Sequence, residues 1–183
     1  MKKFVFIFLF FLISCPVYGG FSSFTNDFKY YESTKKLWYI SVGEVQRNKK
    51  INFSIIKNVA IVNLSKSNEV TYIFKDEFNE RIQGICFESS FKKELETLEY
   101  IGDCEVKNNE GIKFRELKDR ICIFTYNPQT KKNSIWFCNK LGLELKKIKS
   151  FGKYDDWWID VKNNKIYIVH QVENKIHFQS IEW

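Results

Sequence analysis

Two histidines and two prolines occur in 183 residues, and no two cysteines fall in a C-x-x-C or zinc-type Cys/His spacing. Each scarcity removes a class of chemistry. Without close cysteine pairs, a structural zinc site and a redox dithiol are both disfavoured. With imidazoles only at His170 and His177, general acid–base work by histidine is confined to one C-terminal stretch. Eight glycines supply neither a phosphate-binding loop nor a G-x-S-x-G elbow. No Ser/Gly-rich linker divides the chain, and no internal apolar run reaches the ~18 residues of a membrane span.

The one long apolar run is N-terminal. Lys2 and Lys3 precede Phe4–Ile13, about ten residues, which as a helix rise roughly 15 Å, half of a bilayer core. That pattern reads as a secretory leader, residues 1–19, with Pro16 ending the helix and cleavage before Gly20. Leu12-Ile13-Ser14-Cys15 also resembles the bacterial lipobox. On that reading the leader is 1–14 and Cys15 carries the lipid, the one route by which the chain would meet a membrane. Both readings take the chain out of the cytoplasm, to a secreted or periplasmic location.

Residues 20–183 form one domain of ordinary size. The formal charge is +7, but the lysine pairs 49–50, 92–93, 131–132 and 146–147 are scattered, so no nucleic-acid stripe is expected. Short runs of Ile, Val, Phe, Tyr and Trp separated by Asn, Lys, Glu and Asp predict an all-β fold. An antiparallel sandwich or irregular barrel is expected, with a small degenerate β-propeller as the alternative. One short helix is expected near 89–99, where Phe91, Leu95 and Leu98 recur at helical spacing.

The segment 157–181 reads as a three-stranded meander with tight turns at Asn163-Asn164 and Glu173-Asn174. Counting outward puts Trp157, Ile159, Val161, Ile166, Ile168 and His170 on one face. Trp158, Tyr167, Val169, Ile176 and Phe178 take the other. Both faces are apolar enough to be covered, with Trp158 and Phe178 as core and Trp157 the more exposed. Trp157 and Trp183 are the candidate interaction surface.

Apart from Cys15, four cysteines remain, an even number that in an exported chain suggests disulfides. A loop of 127–133 would set Cys122 opposite Cys138, leaving Cys86 to join Cys104 around the expected helix. The leading functional expectation is an exported, non-catalytic binding or structural protein of the cell envelope or extracellular space, such as an enzyme inhibitor or adhesin-like scaffold. It would need no cofactor and would take a protein or envelope component as partner. The alternative is a small secreted hydrolase or metal-dependent protein built on His170 and His177, which become cross-strand neighbours near Asp155 and Asp156.

Overall fold

The run Ile121-Cys-Ile-Phe-Thr125 is buried at every position, a pattern that a strand shows only when both faces of its sheet are covered. That strand lies at the heart of a computed structural model describing residues 27–47, 52–75, 78–92, 95–102 and 116–183. The leader, Cys15 and Cys104 fall outside the described residues.

Twelve strands follow in order: β1 (Lys29–Glu32), β2 (Leu37–Arg47), β3 (Asn52–Asn63), β4 (Glu69–Tyr72), β5 (Arg81–Lys92), β6 (Leu95–Gly102), β7 (Ile121–Asn127), β8 (Lys132–Cys138), β9 (Lys146–Gly152), β10 (Asp156–Asp160), β11 (Lys165–Val172) and β12 (Lys175–Glu182). They form three open antiparallel sheets, ordered β1-β2-β3-β4, β6-β5-β7-β8-β9 and β10-β11-β12. None closes into a barrel. The fold is all-β, as expected, and its arrangement is that of a sandwich.

Two apolar clusters place the layers. One joins Leu37, Tyr39, Ile56 and Ile61 of the four-stranded sheet to Ile85, Phe87, Ile121 and Ile123 of the five-stranded sheet. The other joins Cys86, Cys122, Phe124 and Ile135 of the five-stranded sheet to Ile159, Ile166, Ile168 and Trp183 of the C-terminal sheet. The five-stranded sheet is therefore the middle layer, and the C-terminal meander is an outer one.

This layering corrects the expected helix. Residues 89–92 and 95–99 continue β5 and β6, paired Ser89↔Thr97 and Glu88↔Leu98. Leu98 belongs to one cluster and Ile101 to the other. Where both faces are covered, apolar residues need not alternate, and an i, i+3 spacing then mimics a helix. A lone helix of about eleven residues is marginal in water, whereas pairing with β5 bonds alternate residues of this edge strand and packs its side chains into the layers.

Long β2 and β3 stay paired through a bulge between Val42 and Gly43. A Cβ on Gly43 would overlap the Ile55 carbonyl oxygen and carbon, so the close backbone approach requires glycine. Gly43→Ala should cost about 1–3 kcal/mol by overpacking. Urea denaturation checks it, with a shifted midpoint at unchanged m-value as the expected outcome.

Candidate functional site

The C-terminal sheet carries the residues singled out by sequence. Its register is set by two turns of different length. Val172 pairs with Lys175 across the two-residue turn Glu173-Asn174, where Glu173 takes a left-handed φ of 54°. Asp160 pairs with Lys165, so the first turn spans four residues, 161–164, rather than two. The difference is even, and the side chains keep their expected faces.

On the inner face, Ile159, Ile166 and Ile168 are buried against the middle sheet. Trp157 stacks on Phe124 with ring centroids 3.8 Å apart. Trp157 thus lies in the layer contact rather than on an interaction surface. Trp183 is buried outright; its indole N–H donates to the Glu88 carboxylate and its backbone N–H to the Asn164 carbonyl oxygen, at 3.0 Å. Both proposed surface tryptophans are corrected on the same ground. A middle sheet covered on both sides needs large rings to fill the second contact, and these two supply them.

Further along, the inner face parts from β9 and opens as a cleft of about 360 Å³ lined by Lys149, Ser150, Phe151, Asp155, His170, His177 and Gln179. His170 and His177 pair directly across β11 and β12, with ring centroids 6.5 Å apart. His170 Nδ1 shares a hydrogen bond with Asp155 Oδ1. The other carboxylate oxygen of Asp155 accepts the Gly152 N–H at 2.7 Å. Ser150 shares its hydroxyl hydrogen bond with Ser134 Oγ at 3.0 Å, so the Asp155–His170 pair is not extended by that hydroxyl into a nucleophile-base array. A roomier cleft of about 600 Å³ lies between Tyr72, Phe74, Leu141 and Leu143 and brings no carboxylate or imidazole together.

The outer face of the sheet was expected to be covered, and it is covered only in part: Trp158, Tyr167 and Val169 are half-buried, while Ile176 and Phe178 are exposed. Phe178 is 57% exposed and Ile176 71%. Trp158, Tyr167 and Phe178 form a contiguous ring platform, with centroids 5.0 to 6.0 Å apart. Around it the register places Ser180 beside Tyr167, Asp156 beside Val169 and Gln171 beside Ile176. At one end Asp160, Lys165 and Glu182 form a charged row. Which residues share this face was legible from alternation alone; its exposure was not, because it depends on which sheet takes the middle.

The cysteines also differ from expectation. Cys122 lies opposite Phe137 and Cys138 opposite Ile121, so the two sulfurs face different clusters and do not pair. The β7–β8 loop has four residues, Pro128 to Lys131, not seven. Asn127 sets it by accepting the N–H groups of Gln129 and Thr130 at 2.9 and 3.1 Å, an Asx-type turn. The odd change in count flips one strand's faces. Cys86 sits opposite Cys122 on β7 and Tyr100 on β6. Cys86, Cys122 and Cys138 are free, buried thiols.

Among the described residues, no three His, Cys, Asp or Glu side chains gather as a metal cage, and no helix is long and apolar enough to cross a membrane. No family model, curated protein or solved structure matches the chain.

Proposed function

We propose that the chain is an exported, non-catalytic binding protein of the cell envelope or extracellular space that takes a neutral oligosaccharide on the outer face of β10–β12. The observation that carries this reading is the contiguous platform of Trp158, Tyr167 and Phe178 on the outermost layer, with Phe178 exposed and the other two rings half-buried. Export rests on the leader pattern of Lys2, Lys3 and Phe4–Ile13.

Size argues for a small ligand over a protein. Three strands about 4.8 Å apart, with outward side chains about 6.8 Å apart along each, span roughly 14 by 25 Å. That is about 350 Å², under half of the ~800 Å² per partner in a standard protein interface. Charge argues against polyanions: Asp156, Asp160 and Glu182 share the face with Lys165 alone, despite the chain's overall positive charge. The electron-rich faces of the rings attract the C–H edges of a sugar, while Ser180, Gln171 and Asp156 supply hydrogen bonds that fix its orientation.

Affinity electrophoresis through gels containing soluble glucan, chitin oligomers or a polyanionic glycan tests this. Retardation is expected in at least one neutral gel and none in the polyanionic one. Trp158→Ala and Phe178→Ala should each weaken binding about tenfold or more, at unchanged circular dichroism. Equal mobility of native protein and both variants in every gel would contradict the proposal.

A further inference from the structure

We infer that His170 and His177 form a site for one divalent transition ion of the class that prefers imidazole, Cu(II) ahead of Zn(II). The site lies on the opposite face of the sheet from the sugar platform and stands independently of it. Three features of the cleft converge on it.

The first is register. The two-residue turn at Glu173-Asn174 locks His170 against His177, so two nitrogen ligands come from adjacent strands of one rigid hairpin. With metal–nitrogen bonds of about 2.0–2.1 Å, two imidazoles on one tetrahedral or square-planar ion have ring centres roughly 4.5–5.3 Å apart. The rings stand 6.5 Å apart. Closing by about 1–2 Å requires side-chain torsion only, and both histidines are exposed enough to turn.

The second is Asp155. Its carboxylate is nine-tenths buried and anchored by the Gly152 N–H. Accepting the Nδ1 proton of His170, it selects the tautomer whose Nε2 lone pair is free to ligate. A carboxylate behind a ligating histidine is the usual outer support of such sites. The anchor constrains sequence too: a Cβ on Gly152 would lie 2.9 Å from Asp155 Oδ1, so glycine lets the carboxylate sit there.

The third is room. The cleft of about 360 Å³ admits the waters that complete the coordination of an ion held by two side chains. Two imidazole nitrogens with open positions suit Cu(II) best in the Irving–Williams order, with Zn(II) below it. Such a site binds more weakly than a closed structural one and leaves exchangeable positions facing the cleft.

Asp155 is a positioning residue here, and its test needs a readout that mere structural support would not move. Copper(II) chloride is titrated into the full chain and followed by calorimetry and by electron paramagnetic resonance. One equivalent should bind, with hyperfine splitting from two imidazole nitrogens. His170→Ala and His177→Ala should each weaken binding at least tenfold and reduce the signal to one nitrogen. Asp155→Asn should weaken binding about 10- to 100-fold while keeping both nitrogens. Melting of each variant without metal checks that the fold is intact. Copper bound equally well by the double histidine variant, or a native spectrum without two nitrogen couplings, would overturn the inference.

Discussion

Iodoacetamide at pH 8 should leave the native thiols of Cys86, Cys122 and Cys138 unmodified, and Cys138 should react at least a thousandfold more slowly than a free cysteine. All three are buried. Burial, with the nearby Asp119 charge adding to it, pushes the Cys138 thiol up to about 12. At pH 8 its thiolate fraction is then ~10⁻⁴, against about a quarter for an ordinary thiol near 8.5. Burial raises Cys122 as well, helped by its neighbour Cys86 across the ladder. Both residues lie in the doubly covered middle sheet, so reagent reaches them only through large-scale opening. Alkylation of the native protein, then of the denatured protein with an isotopically different reagent and no reductant, separates the outcomes by mass. The second label should appear at all three positions. The first label at Cys138 within minutes would refute the burial, and a Cys122–Cys138 peptide that takes neither label would refute the register.

Lys140→Met should destabilise the protein by about 3–5 kcal/mol, because it leaves a buried carboxylate without its cation. The Lys140 and Glu32 side chains are 3% and 0% exposed, with Nζ 3.2 Å from Oε1. The ammonium also donates to the Glu88 carbonyl oxygen at 2.8 Å, and the Lys140 carbonyl accepts the Tyr39 hydroxyl at 3.0 Å. The side chain of this residue in the β8–β9 connection thereby ties β1 to β5, and its backbone carbonyl holds β2. Against a typical total of about 5–15 kcal/mol, the loss is large. At roughly 2–4 °C per kcal/mol it lowers the melting temperature by about 10 °C. The paired change Glu32→Gln with Lys140→Met should recover part of it, since no buried charge is then left alone.

The same pair sets an acid limb. Burial of Glu32 would by itself raise its pKa. Hydrogen bonds from the Thr34 hydroxyl and Lys35 N–H, with the Lys140 ammonium, outweigh that and hold it below the ordinary 4.5. A depressed carboxyl contributes stability in full above 4.5 and loses it as pH falls through the lowered value. Melting temperature should therefore drop below about pH 4.5 in the native chain and drop less steeply in Lys140→Met.

How much of this could be read in advance differs by element. The β11–β12 pairing, the facing of His170 on His177 and the two faces of the meander follow from a period-2 pattern and a turn of two Asn/Glu residues. Asp155 was visible as a nearby acid, but its bond to His170 depends on how β9 turns into β10. Loop parity decided the cysteines: Asn127 closes a shorter loop than apolar spacing suggests, and one residue moves Cys138 to the far side of its sheet. Lys140 carried no signal, since a lysine in Asn139-Lys-Leu-Gly142 reads as a solvated loop until the four- and five-stranded sheets close over it. The roles of Trp157 and Phe178 were exchanged for a related reason. Alternation assigns them to opposite faces, and only the stacking order of sheets says which face meets water.

The most direct measurement is the response of the five tryptophan indole N–H resonances to a titrated neutral oligosaccharide that retards the protein in gels. The Trp158 resonance should move progressively and saturate, while those of Trp157 and Trp183, on the inner side of the same sheet, hold their positions. Saturating shifts at another tryptophan with Trp158 unmoved would contradict a binding face on the outside of β10–β12.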